Sequence, residues 1–464
     1  MKKVVFLVVL FSLALIFTFH AIGCDPGEVD EPDEVDKKEE KPDEGLAEEP
    51  KEFTGLDLEE AADPDAWNEF FPNQYATWEE TSEMNEMGVD TTFGGASKDG
   101  ELIDYTEVYP FLQTNYDGFG FAESYNRSRG HYYALEDVKE TGRLPDWEDR
   151  PATCLACKSS DVVVGEEEHG GDFYDASFEE VVGDNTVSCL DCHSHEDGSV
   201  QAQRGYVDQA FEISEDQFKN IDPFDEDYEN DQTCAQCHVN YYFEFDTDKE
   251  FVEAKGQPIL PWSEGLAAEE QYEHYEKVGF DGEFEHARTG TPTIKAQHPE
   301  YELLHEGKES NVHSDMGLSC VDCHMPETES DDGETFSSHK WTSPLTDEDS
   351  IDDCLSCHSD WEDQDEVKEK TAEVQEGVYE KQNRIGEKLE EFIDKLADAK
   401  DDEELTGENL EEAQSIHREA QFYWDFIWVE NSNGFHNWDE AYRVLNKADE
   451  MIDEGMEFLE DNIE

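Results

Sequence analysis

Hydrophobic residues recur with a helical period in the last quarter of the chain. Between residues 367 and 396 they follow one another at steps of 7, 4, 7, 4, 3 and 4, at Val367, Val374, Val378, Ile385, Leu389, Phe392 and Leu396. Such steps place side chains on one face, so this nearly heptad stripe predicts a long amphipathic helix. Further helices are predicted over residues 410–430 and 438–459. We expect the stripe to pack inside the monomer and also on a second subunit.

The opposite end of the chain has the pattern of an export signal. A positively charged start is followed by an apolar run over residues 4–19. This run is short for a membrane-spanning helix, which needs about 20 residues. Residues 21–24 then resemble a bacterial lipobox. Residues 1–24 are therefore expected to be a lipoprotein-type signal with lipid attached at Cys24. A simple cleaved signal or an uncleaved anchor is the alternative.

Between these ends, the polar pattern divides the chain in two. Residues 25–60 are rich in Asp, Glu, Lys and Pro, which predicts an extended, self-repelling tether. From residue 61 onward aromatic residues return, and short helical stretches such as 132–140 alternate with loops that show little period-2 alternation. We expect a mainly α body over residues 61–360 and a C-terminal helical region over residues 361–464 in the same domain.

The charge balance excludes one class of partner and indicates an environment. The chain has 122 Asp plus Glu against 32 Lys plus Arg, a formal net charge of −90, so a nucleic-acid partner would be repelled. Disorder explains such acidity only in the tether, because 9 Trp, 18 Tyr and 27 Phe are spread through the remainder. A folded protein with this surface is typical of a halophilic or salt-adapted source, where the Debye length falls to roughly 3 Å.

Ten of the eleven cysteines form five C-x-x-C pairs: Cys154 and Cys157, Cys189 and Cys192, Cys234 and Cys237, Cys320 and Cys323, Cys354 and Cys357. The residue after the second cysteine is His193, His238, His324 or His358 in four motifs and Lys158 in the first. C-x-x-C-H is the attachment motif of c-type haem. The thiols bind the haem covalently, and the next residue becomes the axial ligand of its iron. The sequence therefore predicts five haem c groups, one of them distinct.

Two other uses of paired cysteines explain the pattern less well. Zinc would leave one pair over and would not explain a His or Lys after every second cysteine. Structural disulfides are a poor interpretation of adjacent C-x-x-C pairs, which are usually redox-active or metal-bound. We predict a mainly α multihaem cytochrome c, with an irregular haem-packed body and long C-terminal helices.

The remaining histidines provide more axial ligands than the haems need. Outside the signal and the four motifs, eleven histidines are left, and four haems with two histidine ligands each would use four of them. Lys158 would bind iron as a neutral amine, although the pKa of a free lysine is about 10.4. The opposite face of that haem is then free for a substrate.

With these motifs and the segments between them, residues 65–460 resemble the pentahaem cytochrome c nitrite reductases that form ammonia. The segments that carry the resemblance are FPNQY at 71–75, RGH at 129–131, ETGR at 140–143, CLACK at 154–158, CHVNYYF at 237–243, KAQHPEY at 295–301, CHMP at 323–326 and ENSNGFH at 430–436. The resemblance implies six-electron reduction of nitrite to ammonium at the lysine-ligated haem, with electrons supplied by four bis-His haems.

The resemblance also implies roles for single residues. The distal ligands of haems two to five would be His339, His131, His436 and His313, although His305 is a rival for the fifth. Arg143, Tyr241 and His298 would lie over the open face of the lysine haem, with His298 a protonated donor. Calcium would be bound by Asn240, Tyr241, Lys295 and Gln297, where Asn240 replaces the family's glutamate. Ca²⁺ accepts carbonyl oxygens, but one negative charge is lost.

The resemblance also implies partners and a location, and other functions remain as alternatives. The resemblance implies a homodimer and an electron donor that is either a membrane quinol dehydrogenase cytochrome or a small soluble cytochrome. The location would be periplasmic or at the outer face of the cytoplasmic membrane. An electron-transfer cytochrome without a substrate, or a related reductase of hydroxylamine or sulfite, is the alternative. A positive funnel around Arg143, His298, Lys295 and calcium would draw nitrite into an acidic protein.

Overall fold

The computed structural model describes residues 51–83, 103–144, 146–214, 229–246, 253–305, 307–309, 311–330 and 333–463. These residues all fall within one compact unit. The export signal, Cys24 and most of the predicted tether lie outside the described residues. Within the described ranges, no helix combines the length and the apolar character needed to cross a bilayer.

The described chain is mainly helical, as the sequence predicts. Its α-helices are α1 Leu58–Ala61, α2 Asp65–Asn68, α3 Pro72–Glu79, α4 Tyr105–Val108, α5 Phe111–Asn115, α6 Ala134–Glu140, α7 Asp161–His169, α8 Phe178–Val181, α9 Gly205–Ser214, α10 Glu229–Cys234, α11 Ala268–Val278, α12 Glu300–His305, α13 Val312–Asp315, α14 Cys320–His324, α15 Glu348–Cys357, α16 Gln364–Asp401, α17 Glu408–Trp428 and α18 Trp438–Asn462. Short 3₁₀ helices lie at Glu80–Ser82, Gly120–Ala122, His131–Tyr133, Ala152–Leu155, Gly170–Asp175, Cys189–Asp191 and Pro344–Thr346.

Three small antiparallel hairpins are the β-structure of the described residues. They pair β1 Tyr242–Asp246 with β2 Glu253–Ile259, β3 Phe284–Glu285 with β4 Pro292–Thr293, and β5 Glu327–Glu329 with β6 Thr335–Ser337. In the first hairpin Tyr242 pairs with Ile259, and the register shifts before Glu244 pairs with Lys255. Because β1 and β4 come just after Tyr241 and just before Lys295, two hairpins fix the backbone at candidate site residues.

The three long helices, α16 to α18, pack on one another and form the largest apolar core. Side-chain caps start two of them: Asp363 accepts from the backbone N–H of Glu366, and Asn437 accepts from that of Glu440. The helix predictions for this region are confirmed. Along the stripe, Val378, Ile385, Leu389, Phe392 and Leu396 are fully buried within this single chain.

These five residues therefore pack within their own chain, and the contact of the stripe with a second subunit stays a prediction. Their side chains are already covered by α17, α18 and the aromatic residues that precede the first motif, such as Phe111. Of the seven stripe residues, Val374 alone is only half-buried.

The folded body begins earlier than the acidic composition predicts. Phe53 stacks on Trp67 with ring centroids 5.2 Å apart, and the backbone N–H of Leu56 donates to the carbonyl oxygen of His195 at 2.8 Å. Helix α1 follows at Leu58. The sequence predicts a tether over residues 25–60, but the few apolar side chains of residues 51–60 pack against the second C-x-x-C motif. Composition does not reveal this packing, because acidic residues outnumber the apolar ones in this stretch.

Candidate functional site

Each C-x-x-C pair lies on or beside a helical turn. The first two lie in or next to 3₁₀ helices, and the last three begin, end or fill α10, α14 and α15. A helical turn brings residues i, i+3 and i+4 to one side, so both thiols and the following His or Lys face the same space. This is the arrangement that covalent attachment and axial ligation of one haem require.

The structure gives no support to disulfides or zinc at these cysteines. In the described residues the ten motif cysteines form no disulfide. The only described group of three or more His, Cys, Asp or Glu ligand atoms within 4.8 Å of one another is Asp231, His305 and Cys320. Two C-x-x-C pairs therefore do not converge on a common zinc position.

Four histidine pairs face each other at closely similar distances. The ring centroids are 6.1 Å apart for His193 and His339, 5.9 Å for His238 and His131, 6.3 Å for His324 and His436, and 6.4 Å for His358 and His313. Two imidazoles that bind opposite sides of one metal ion, each through a nitrogen at roughly 2.0 Å, have ring centres about 6.4 Å apart. The structure thus brings together both members of every predicted pair.

His305, the rival of His313, has a different environment. Its Nε2 lies 2.8 Å from Oδ2 of Asp231, and its ring packs on Tyr301 with centroids 4.8 Å apart. The side chains of His305 and Asp231 are fully buried. This geometry favours His313, whose ring faces His358, as the partner in the fifth motif.

The remaining histidines divide into exposed and structural ones. His169 is well exposed, and Nδ1 of His195 bonds to the carbonyl oxygen of Leu56. His274, His286 and His417 are buried and hydrogen-bonded to Tyr242, Thr114 and Gln421 respectively. The rings of His286 and His417 lie against each other with centroids 5.2 Å apart, but neither belongs to a C-x-x-C-H motif.

The motif thiols are neighbours in a branched order. Cys157 of the first motif interacts with Cys237 of the third, and Cys192 of the second lies near Cys234. Cys234 also interacts with Cys320 of the fourth motif, and Cys323 lies near Cys354 of the fifth. The third motif therefore lies between the lysine motif and the others, which allows electrons to pass between neighbouring groups.

Arg204 contacts two of the motifs, and the sequence patterns did not identify it as a site residue. Its side chain is buried, with Nε donating to the carbonyl oxygen of Ala156 at 3.0 Å. One terminal nitrogen donates to Ser159 at 3.2 Å and to Asp191 at 2.5 Å. Such a charge-assisted pair fixes the first motif against the second. Arg204 lies in no recognisable pattern, so no sequence signal identifies it.

Arg143 reaches the lysine motif from the loop after α6. Its guanidinium lies 4.2 Å from the ring centroid of Phe121, and it interacts electrostatically with Tyr241 and Cys154. Gly120 permits this approach, since a Cβ there would lie 2.9 Å from the carbonyl oxygen of Arg143. Burial lowers the pKa of Arg143 from its usual range, but a guanidinium stays cationic in proteins.

Tyr241 and His298 are both neutral in this environment. Burial raises the pKa of Tyr241 well above its usual value. Burial also lowers the pKa of His298 to about 4, although the nearby Glu300 opposes this. This pKa favours the neutral imidazole at neutral pH, whereas the role of His298 as a protonated donor stays a prediction. Its side chain still keeps 37% of its surface accessible, so the ring borders an open space.

Of the four candidate calcium residues, Asn240 and Lys295 are buried, and Tyr241 and Gln297 are partly buried. Oδ1 of Asn240 accepts from the backbone N–H of Gln297 at 2.8 Å, and its Nδ2 donates to Gln271 at 2.7 Å and to Tyr275 at 3.2 Å. Two carboxylates border this cluster: Glu302 accepts from the N–H of Asn240, and Glu283 accepts from the N–H of Lys295. Burial raises the pKa of both to about 8.

Lys295 does not contribute free positive charge to the site. Its Nζ lies 3.0 Å from both carboxylate oxygens of Asp425 on α17, and both side chains are buried. The carboxylate also accepts from the N–H of Ala296 at 2.9 Å. The predicted positive funnel therefore loses Lys295, whose charge is compensated, and Lys295 instead holds the backbone that leads to His298.

Comparisons with known proteins agree with this geometry. The family model described as cytochrome c552 matches residues 63–463. A cytochrome c-552 of Parabacteroides distasonis is 31% identical over 414 residues, which cover 86% of this chain and 75% of that protein. The cytochrome c nitrite reductase subunit NrfA of Nitratidesulfovibrio vulgaris is 31% identical over 407 residues, with 82% and 75% covered.

A solved structure is also similar. The cytochrome c nitrite reductase NrfA of Desulfovibrio desulfuricans ATCC 27774, described with two calcium sites, superposes with a TM-score of 0.77 at 25% identity. The superposition covers 88% of each chain. The match of the family model over most of the chain, together with these relatives, establishes that this chain belongs to the cytochrome c552 family.

Proposed function

We propose that this protein is an ammonia-forming cytochrome c nitrite reductase, which reduces nitrite to ammonium with six electrons. One observation carries the proposal. The C-x-x-C motif followed by Lys158 is bordered by Arg143, Tyr241 and His298, while the other four motifs each meet a second histidine. The site at the lysine motif is thus suited to a substrate, and the other four sites are suited to electron transfer. The similarity to NrfA supports the same function.

The residues present fit five haem c groups. The ten motif cysteines would hold them, with Lys158 as the axial ligand of the first. The pairs His193 and His339, His238 and His131, His324 and His436, and His358 and His313 would be the axial ligands of the second to fifth. When bound, the haem at Lys158 supplies an iron centre that binds nitrite and accepts electrons.

Three side chains would handle the substrate. Arg143 presents a planar cation that can pair with both oxygens of nitrite and stabilise negative charge in a buried site. His298 is neutral, and a neutral imidazole can still donate one hydrogen bond and move a proton. Tyr241 keeps its hydroxyl proton, because burial raises its pKa, and can donate as well.

Calcium would bind beside this site. The oxygen atoms available are the side chains of Asn240 and Gln297 and the carbonyls of Tyr241 and Lys295. Among the described residues, Oε1 of Glu283 and Oε2 of Glu302 are buried without a hydrogen-bond partner. With pKa values of about 8 both carboxyl groups are mostly neutral when no cation is bound, but a bound cation would favour their charged form and so replace the charge that Asn240 lacks. The two calcium sites of the D. desulfuricans enzyme support the assignment.

The proposed location and partners are supported by the family resemblance and by the N-terminal sequence. The N-terminal signal supports a periplasmic location with a lipid anchor at Cys24. A membrane quinol dehydrogenase cytochrome would then be the nearer electron donor, and a small soluble cytochrome the alternative. A homodimer remains a proposal from the resemblance, because the apolar stripe of α16 is buried in its own chain.

The first experiment is EPR spectroscopy of the oxidised protein with and without nitrite, followed by an ammonium assay under a reductant. A high-spin haem signal that changes with nitrite, together with ammonium, is expected. Only low-spin signals that nitrite leaves unchanged would favour the electron-transfer cytochrome. Assays with hydroxylamine and sulfite separate the related reductases.

Arg143→Lys tests the site itself. It keeps the charge but loses the fork of donors, and removal of one such donor in other enzymes costs about 10²–10³-fold in kcat. We expect a loss in this range. Arg288→Lys, at a part-exposed arginine that pairs with Asp394, is the matched control and should leave the rate unchanged.

A further inference from the structure

Two stretches that are far apart in the sequence meet behind His298. Glu300 begins α12 and is buried, with 6% of its surface exposed. Its Oε1 accepts from the backbone N–H of Asn431 at 3.0 Å and from the side-chain Nδ2 of the same residue at 2.5 Å. Asn431 lies in the loop between α17 and α18, which also carries His436, the proposed second ligand of the fourth haem.

These contacts fix the orientation of the Asn431 amide. An ionised carboxylate only accepts hydrogen bonds, so the amide nitrogen, not the oxygen, must face Glu300. The backbone N–H of Asn431 donates to the same oxygen, so Oε1 acts as an acceptor in this contact. The Nδ2 atom of Asn431 also lies 3.3 Å from Nδ1 of His298.

This second contact determines which nitrogen of His298 carries the proton. An amide NH₂ group donates only, so Nδ1 of His298 must accept. The single proton of a neutral imidazole then lies on Nε2. His298 therefore has a donor on Nε2 while its Nδ1 is held by Asn431.

The same carboxylate faces a predicted haem ligand. Oε2 of Glu300 lies 3.8 Å from Nδ1 of His238, a distance for electrostatic attraction. In two other motifs, Nδ1 of the motif histidine lies against a neutral backbone carbonyl oxygen instead. These contacts are His193 with Gly198 at 3.0 Å and His324 with Thr342 at 2.9 Å. A carboxylate behind a ligating histidine makes the imidazole a stronger donor to the metal.

The loop that carries Asn431 is itself held in place. Glu430 is buried and accepts from the backbone N–H groups of Ser432 and Gly434, both at 2.9 Å. Gly434 has φ of +82°, and a Cβ there would lie 2.8 Å from Val378. The position of Asn431 is therefore set by the loop and by Glu300 together.

We propose that Glu300 and Asn431 are positioning residues for nitrite reduction, in which Asn431 fixes the tautomer of His298 and Glu300 both orients Asn431 and polarises His238. This inference rests on the proposed function. One carboxylate then serves the proton donor of the active site and the ligand of the neighbouring third haem. The charge of Glu300 favours the oxidised iron and so lowers the potential of that haem.

Two variants separate the two roles. Glu300→Gln can still accept from Asn431 but has no charge, so the midpoint potential of one low-spin haem should rise, and its EPR signal should shift. Asn431→Ala leaves the carboxylate in place, so the potentials should stay as in the wild type. Its kcat should fall about tenfold, in the range found when such supporting contacts are removed, while KM changes little.

Glu390→Gln is the control for the potential. Glu390 is partly buried on α16 and accepts from the hydroxyl of Thr114 at 2.9 Å, and its described contacts include no histidine. Spectropotentiometric titration of this variant should give wild-type potentials. Should Glu300→Gln fail to fold with its haems, Glu300→Asp keeps the charge, and wild-type potentials are expected for it.

The outcomes distinguish this proposal from the function on which it rests. If Glu300→Gln has wild-type potentials, or Asn431→Ala keeps its kcat, the positioning role is wrong even though the wild type reduces nitrite. A shift that appears equally in Glu390→Gln, or a changed potential in Glu300→Asp, also contradicts it. If the wild type forms no ammonium from nitrite, the proposed function fails, whereas the potentials still test the contact with His238.

Discussion

At the scale of single residues, His305 and His313 show how environment assigns a role. His313→Ala should convert one low-spin haem to a high-spin one, because it removes the ring that faces His358. His305→Ala should leave all low-spin signals in place, since His305 pairs with Asp231 instead. EPR of the two oxidised variants is the measurement. The reverse result would make His305 the ligand of the fifth haem.

His417 predicts a specific dependence of stability on pH. It is fully buried, and burial lowers its pKa to about 3, against about 6.5 in an unfolded chain. Between these values the unfolded chain binds the extra proton, so stability must fall as the pH drops from 6.5 towards 3. His417→Gln should flatten this fall by up to about 1.4 kcal/mol per pH unit. Denaturant unfolding measured across this pH range tests it.

The matched control is His169→Gln, at an exposed histidine on the last turn of α7. This variant should follow the wild-type pH dependence. If His417→Gln also follows it, burial of His417 does not contribute to acid sensitivity.

The sequence indicates some residue roles and not others, for a physical reason. Motif spacing identifies the thiols and the adjacent ligands, because attachment of one haem is a local event along the chain. The distal histidines required the family resemblance. The contact of Glu300 with Asn431 joins residues 131 positions apart and depends on the packing of α12 against a loop. Composition and periodicity contain no information about such a contact.

At the scale of elements, apolar periodicity was the most reliable signal. It predicts α16, α17 and α18, with ends that differ from the observed ones by up to a few residues. At the start of α16 the difference arises because the polar cap Asp363 lies outside the apolar pattern. The stripe does not indicate which surface packs against it. Apolar residues at the same positions would be needed whether the helix packs on helices of its own chain or on a second subunit.

Gly455 tests how closely the long helices pack. A Cβ at this position of α18 would lie 2.6 Å from the ring of Phe392 and 3.1 Å from Ile416. Gly455→Ala should therefore lower the free energy of unfolding, because overpacking costs about 1–3 kcal/mol and outweighs the helix propensity gain of about 1 kcal/mol. Denaturant unfolding followed by circular dichroism is the measurement.

Gly205→Ala provides the comparison. Gly205 begins α9, and a Cβ there would meet no atom within 4 Å. This variant should be as stable as the wild type or slightly more stable. If the two variants change the free energy of unfolding equally, close packing around Gly455 does not determine the effect of its substitution.

At the scale of the whole molecule, the net charge of −90 opposes both folding and substrate entry. Positive charge near the lysine motif comes from Arg150 and Arg143, whereas Lys295 is neutralised by Asp425. Nitrite must therefore approach an anionic surface. Salt screens that repulsion, so nitrite reduction should become faster with salt over some range, and a rate that only falls with salt would contradict this account.

The stability of the whole chain should depend on salt for the same reason. At about 1 M salt the Debye length is roughly 3 Å, so repulsion between exposed carboxylates is largely screened. On desalting, the 122 acidic side chains repel one another with only 32 basic ones to offset them, and the unfolding temperature should fall steeply. Unfolding measured in NaCl and in sucrose of equal osmolality separates screening from general stabilisation. If screening governs stability, NaCl restores the unfolding temperature and sucrose does not. Equal stability at low and high salt would remove the salt-adapted interpretation of the acidic surface.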